Sequence, residues 1–307
     1  MVRLSPPGYT RLEEAGTLEC RTGGSESNVA VALARLGLRV AWLSRLPENA
    51  LGRLIERRLK SLGVDTGHVQ WASGARAGVY FIEPGAPPRP TRVLYDRAGS
   101  AASEMAPDAM PWAVVRGARH LHFSGITPAL SGSCRAVCAR AIAEARAAGA
   151  TVSLDVNYRA RLWSPEEAAA VLAELLPSVQ LLISTALDLE LLFGLGGDAE
   201  AVARAARERF GVTAAVVTLG GAGGCLADEQ GFLHVPCFPV TEVDRVGAGD
   251  AFDAGLLFGY LRGDLRAGLT YGLAMAALKH SIPGDEFIGS LAEVEELIAS
   301  GRRDIHR

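Results

Sequence analysis

Short β-branched apolar runs alternate along the chain with stretches of helical period, and this alternation predicts a mostly parallel sheet covered on both faces. Residues 25–36 (SESNVAVALARL) set Val29, Ala32, Leu33 and Leu36 on one helical face, Gly37 is the stop, and the strand RVAWLS follows directly. Residues 50–62 repeat the pattern with Leu51, Leu54, Ile55, Leu59 and Leu62 before Gly63. SCRAVCARAIAEARAAG reads as a helix feeding the strand TVSLDVN; Ser164, Pro165 and Glu167 then supply an N-cap, a first-turn proline and a capping box for the next helix. QLLIS and AAVVTL are continuous apolar strands of the kind that parallel sheets bury, with a helix over 198–210 between them. From Gly247 onward three helical segments follow, the last capped by Ser290 with Glu293 and stopped by Gly301.

One region breaks this rhythm. Between about 68 and 97 the segments HVQWA, AGVYFIE and TRVLYDR alternate polar and apolar around the connector EPGAPPRP, which predicts a β-hairpin with one solvated face, placed as a lid. No internal repeat is visible.

Composition narrows the function classes. With 307 residues, 49% hydrophobic, 21% charged and a net charge of −3, the chain is that of a folded globular protein. Charges of both signs are interspersed without a basic face, which argues against nucleic acid as a partner. The start MVRLSPPGYT has no basic region followed by an apolar stretch, and no run of about 18 uncharged apolar residues occurs, so neither a signal peptide nor a membrane span is expected and the cytoplasm is the expected location. Five scattered cysteines do not form a disulfide framework. Cys134 and Cys138, four apart on a predicted helix, read as small buried residues, and His120 and His122, alternating on a strand, as packing or hydrogen-bonding groups, since neither pair has further ligands in sight.

The sharpest chemical signal is VDRVGAGDAF at 243–252, where a glycine-rich loop turns into a helix. The unpaired amides of a helix N-terminus make an anion site, with phosphate the expected anion. A carboxylate beside that site repels phosphate but can accept the proton of an attacking hydroxyl. Standing alone, Asp250 would read as a helix cap. It has company: a second glycine-rich turn, 220–224, follows the strand AAVVTL, where open α/β sheets collect ligands, and Gly23, Gly24 and Ser25 open the first helix ahead of Asn28. Neither turn matches a P-loop or a dinucleotide fingerprint, which demotes P-loop NTPases and nicotinamide-dependent dehydrogenases.

Taken in order, GGSESNVAVALARLG, YDRAGSAAS, HLHFSGITPAL, SLDVNYRARLWSPEEA and DRVGAGDAF resemble the ribokinase-like (PfkB-type) carbohydrate kinases, and among them the 2-keto-3-deoxygluconate kinases, over about residues 10–290. The resemblance implies an α/β ribokinase-like fold in one domain over 1–307: a mostly parallel central sheet flanked by helices on both faces, with a small β lid from about 68–100 and the N-terminal segment at about 9–22. It implies ATP and Mg²⁺, with metal ligands unassigned. Asp250 would be the general base and the amides of Gly247, Ala248 and Gly249 the anion hole. Gly24, Asn28, Tyr80, Tyr95, Arg97, Ile126, Arg159 and Asp285 would surround the sugar, and Thr218, Gly220, Gly223, Gly247 and Gly249 would hold the nucleotide. Arg97 and Arg159 are the cations available to a sugar carboxylate, with Arg159 also common to fructokinase-like relatives. A homo-oligomer through the lid is consistent with the resemblance.

Three departures stand out. The family opens on an apolar strand ending in Gly and an acidic residue, where this chain has only MVRLS. An Asn-x-x-Glu motif appears as Thr185-Ala186-Leu187-Asp188, and Arg245 replaces a small Thr ahead of the anion-hole loop, which bears on any monovalent-cation site. The expected function is ATP-dependent phosphorylation of a primary hydroxyl of 2-keto-3-deoxygluconate. A fructokinase-like neutral-sugar kinase and a degenerate sugar- or nucleotide-binding module are the alternatives.

Overall fold

A computed structural model describes residues 1–301. In chain order the elements are β1 (Val2–Ser5), β2 (Glu19–Thr22), α1 (Ser25–Arg35), β3 (Arg45–Pro47), α2 (Ala50–Ser61), β4 (Gln70–Ala72), β5 (Val79–Glu83), β6 (Arg92–Asp96) and α3 (Trp112–Gly117). Then come β7 (His120–Ser124), α4 (Ile126–Leu130), α5 (Gly132–Ala147), β8 (Thr151–Asp155), α6 (Pro165–Leu175), β9 (Leu181–Thr185), α7 (Ala186–Phe193) and α8 (Ala199–Phe210). The chain continues with β10 (Ala214–Thr218), β11 (Gly224–Asp228), β12 (Gly231–Val235), α9 (Ala248–Leu261), α10 (Leu265–His280) and α11 (Leu291–Ser300).

Six strands form the central sheet in the order β12-β11-β10-β9-β8-β7. The pairs β7–β8, β8–β9 and β9–β10 are parallel, whereas β11 and β12 add an antiparallel hairpin that the sequence pattern did not announce. Successive residues of one strand feed opposite cores, as the two-residue period of a pleated strand requires. Leu182, Ala215 and Val217 join one cluster with α5, α6 and α8, while Leu181, Ile183, Ala214 and Val216 join the other with α1, α9 and α10. This two-sided burial is why β9 and β10 read as unbroken apolar runs. The parallel strands end together at Ser124, Asp155, Thr185 and Thr218, the edge at which α/β sheets bind ligands. No helix among the described residues is long and apolar enough to cross a membrane.

A separate four-stranded sheet, β2-β1-β5-β6, forms the lid. Of the expected lid region only 79–83 and 92–96 pair as the antiparallel hairpin. His68 and the HVQWA strand do not belong to it: Gln70, Trp71 and Ala72 pair in parallel with Arg45, Leu46 and Pro47, and Val69 and Trp71 pack into the core that α2 covers. The predicted strand RVAWLS is displaced as well. At 39–44 only Ala41 finds a ladder partner, Asp65, and the regular strand begins at Arg45. The opening MVRLS is itself a strand, β1, in the interior of the lid sheet between β2 and β5, and β7 forms one margin of the central sheet.

Local capping follows the sequence closely. Ser290 and Glu293 make both arms of a capping box and Gly301 ends α11 in the left-handed conformation. Ser164 caps α6 from Pro165 onward, but the side chain of Glu167 pairs with Arg135 across the helix interface at 3.0 Å and so does not complete the predicted box. Cys134 and Cys138 are buried, and His120 and His122 both hydrogen-bond Ser153 Oγ at 2.8 Å, so the two rings do share one face. Burial pulls these histidines down to about 3 and about 4.

Candidate active site

The site is assembled where α9 meets α1, and its first layer consists of short-range geometry. Gly247 is the N-cap of α9 and holds φ 84°. A Cβ there would overlap the backbone of Asp285, so the loop before α9 lies directly on the 283–286 segment. The N–H of Ala248 donates back to the Arg245 carbonyl at 3.2 Å, closing the turn. Of the three amides expected in the anion hole, that of Ala248 thus has a backbone acceptor, while those of Gly247 and Gly249 have none among the described residues. Gly247→Ala is expected to destabilise the fold by about 1–3 kcal/mol through left-handed strain and the clash with Asp285, read as a lower urea midpoint.

Asp250, in the first turn of α9, does not cap its own helix. Its Oδ1 accepts from Ser25 Oγ at 2.8 Å and its Oδ2 from Asn28 Nδ2 at 2.7 Å, both on α1, and Asn157 Nδ2 donates to Ser25 Oγ at 3.1 Å. Burial pushes the Asp250 carboxyl up to about 6, opposed by the hydrogen bonds from Asn28 and Ser25. Two more carboxyls lie behind it. Asp155 at the end of β8 and Asp253 one turn along α9 are both raised, by burial first and then by the neighbouring carboxylates.

The lid contributes the opposite wall. Tyr80 on β5 is buried; its hydroxyl donates to Asp285 Oδ2 at 2.6 Å, and its ring stacks on Tyr95 of β6 at 5.8 Å. Arg97 lies over the Tyr95 ring at 4.3 Å and is only 8% exposed, yet no described carboxylate pairs with it and its Nη2 is buried without a partner. Burial lowers its pKa, and the neighbouring Arg159 adds to that. Arg159 is exposed, with Nη1 on the Tyr158 carbonyl at 3.2 Å, while Ile126 starts α4 with its N–H on Ser124 Oγ at 3.3 Å.

Asp285 spends both oxygens within the protein, Oδ2 on Tyr80 and Oδ1 on Arg3 Nη1 at 2.7 Å. Gly24 stands at the N-cap of α1, but the close approach occurs one residue earlier: a Cβ on Gly23 would strike the Tyr80 hydroxyl and the Asp285 carboxylate. Thr218 ends β10, and Gly220 and Gly223 flank the turn into β11. Thr185 caps α7 by accepting from the Asp188 amide at 2.9 Å.

Asn157, Arg3 and Glu26 were given no role by sequence reasoning, and Gly23 and Ser25 were named only as the opening of the first helix; all except Arg3 sit inside motifs already singled out. Glu26 Oε1 accepts from the amide and hydroxyl of Ser124 and from Thr127 Oγ1, at 3.1, 2.9 and 2.6 Å, tying α1 to the end of β7. Nothing in MVRLS marks Arg3, because its role depends on partners 241 and 282 residues away.

Comparison with known proteins places the chain in a family. Residues 2–287 match the model of the pfkB family of carbohydrate kinases. The 2-dehydro-3-deoxygalactonokinase of Haloferax volcanii is 41% identical over 309 residues, covering 100% of this chain and 96% of that protein. The 2-dehydro-3-deoxygluconokinase of Thermoproteus tenax is 34% identical over 97% of this chain and 91% of its own. Among solved structures, the 2-dehydro-3-deoxygluconokinase of Thermotoga maritima superposes with a TM-score of 0.92 at 35% identity, covering 98% of this chain and 96% of that one.

Proposed function

Because the chain belongs to the pfkB family of carbohydrate kinases, and so is an ATP-dependent sugar kinase, we propose that its acceptor is 2-keto-3-deoxygluconate, phosphorylated on a primary hydroxyl. The observation that carries the acid sugar is Arg97. A buried guanidinium is costly unless an anion pairs with it, and here no described side chain does. A ligand carboxylate between Arg97 and Arg159 would supply that anion, through charge-assisted hydrogen bonds of about 1.5–3 kcal/mol each. The relatives named for 2-dehydro-3-deoxy sugar acids support the same class.

In this reading Asp250 takes the proton of the attacking hydroxyl, and Ser25 and Asn28 aim its carboxylate. The amides of Gly247 and Gly249 face the transferring phosphoryl group, and Gly24, Ile126 and Tyr95 bound the sugar. Thr218, Gly220 and Gly223 border the nucleotide. No residue is assigned to Mg²⁺; arriving with ATP, it would neutralise phosphate charge.

The deciding experiment is ADP release over a panel containing 2-keto-3-deoxygluconate, its galacto epimer and neutral ketoses such as fructose. Higher kcat/KM for a neutral sugar would overturn the acid-sugar reading. The base role also has a pH signature. With a carboxyl at about 6 that must be ionised to act, kcat/KM should rise through about pH 6 and level off above it. Ser25→Ala removes a hydrogen bond that favours the charged form, so it should move that limb to higher pH; an unmoved limb would assign the titration to another group.

A further inference from the structure

Lys279 is fully buried, at 0% exposure, in the last turn of α10. A basic residue at a helix C-terminus ordinarily reaches out to water while complementing the helix dipole. Lys279 turns inward, and its ammonium donates to the Asp244 carbonyl at 3.2 Å and to the Ile282 carbonyl at 2.8 Å. Both acceptors belong to the backbone that frames the phosphoryl site. Asp244 starts the loop that leads to Gly247, and Ile282 starts the turn that leads to Asp285, on which Gly247 rests.

The surrounding bonds stitch the same two segments together. The amides of Val243 and Asp244 donate to the His280 carbonyl at 2.8 and 3.1 Å, and the Gly284 amide donates to Asp244 Oδ2 at 2.9 Å. Arg3, on the lid strand β1, bridges Asp244 and Asp285 at 2.7 Å each. Two buried cations and two carboxylates therefore alternate directly behind the loop. Lys279 is the one member whose bonds go to main-chain oxygens, so it acts on the path of the backbone itself.

We propose that Lys279 is a positioning residue for phosphoryl transfer: its ammonium is a built-in cation that holds the Asp244 and Ile282 carbonyls together and so fixes the amides of Gly247 and Gly249. The inference rests on the kinase reading of this site. Anion-hole amides are used most strongly in the transition state, so loosening them lowers kcat and leaves sugar binding nearly intact.

The test compares Lys279→Ala with Lys279→Met in choline-based buffer free of potassium and ammonium, using the sugar that the wild-type enzyme phosphorylates best. Lys279→Ala should lose about 10- to 100-fold in kcat, as expected for a displaced site, with little change in sugar KM. Ammonium chloride should restore part of that kcat and raise the Tm of Lys279→Ala. It should do neither for wild type, nor for Lys279→Met, whose side chain fills the space. Wild-type kcat in either folded variant would overturn the proposal, and so would a loss in Lys279→Ala that ammonium does not relieve. Should Lys279→Ala fail to fold in every buffer, Lys279→Met decides alone: reduced kcat at unchanged KM supports the role and wild-type kcat refutes it. The ammonium-dependent Tm needs no turnover, so it separates failure of this inference from failure of the assigned reaction.

Discussion

Replacing Asp250 by Asn should lower kcat by about 10²–10⁴, the span associated with losing a positioned proton acceptor, and leave the affinity for the sugar almost unchanged. The substitution keeps the volume and one acceptor oxygen, so either Ser25 or Asn28 retains a partner and α9 stays seated on α1. What disappears is the carboxylate that Ser25 and Asn28 hold in place to accept the proton. The measurement is steady-state kinetics of ADP release at pH 8, above the expected limb, with sugar binding followed independently by calorimetry. A variant with near-wild-type kcat would show that Asp250 merely braces α1 and that the proton leaves by another route.

The second large effect is one of selectivity. Arg97→Ala should raise KM for a 2-keto-3-deoxy sugar acid by about 10- to 150-fold, the equivalent of one charge-assisted hydrogen bond of about 1.5–3 kcal/mol, and change KM for a neutral ketose far less. Arg97 is suited to this task by its surroundings: it rests on Tyr95, no described carboxylate forms an ion pair with it, and its Nη2 is buried with nothing to donate to. Arg97→Lys should recover only part of the loss, because an ammonium cannot present two parallel donors to a carboxylate. Equal increases in KM for acidic and neutral sugars would show that Arg97 supports the lid instead of reading charge. The two variants act on different parameters, kcat for Asp250 and KM for Arg97, so neither result can stand in for the other.

The motifs that could be read in advance share a property: their meaning is local. A glycine-rich turn entering a helix, an Asp three residues past its N-cap glycine, and apolar runs between amphipathic helices are legible because backbone conformation and side-chain period depend on near neighbours. The same reasoning misplaced features whose partners are remote. HVQWA has the alternation of a lid strand, but it pairs with Arg45–Pro47, since strand pairing depends on which edge is available in space. Glu167 has the spacing of a capping box, and it is drawn instead to Arg135 on α5.

What the amino-acid order determined by itself was the alternating α/β architecture, the two-faced burial of the central strands, and the presence of a carboxylate beside a helix N-terminus. Tertiary structure alone decided how that carboxylate is held, that the buried Arg97 has an Nη2 without a partner, and how Arg3, Lys279, Asp244 and Asp285 come to lie behind one loop. The physical reason is range. Hydrogen-bond geometry within a turn is set by a few consecutive residues, whereas desolvation and charge pairing are set by whatever the folded chain brings within a few ångströms, and for Arg3 and Asp285 those atoms are 282 residues apart.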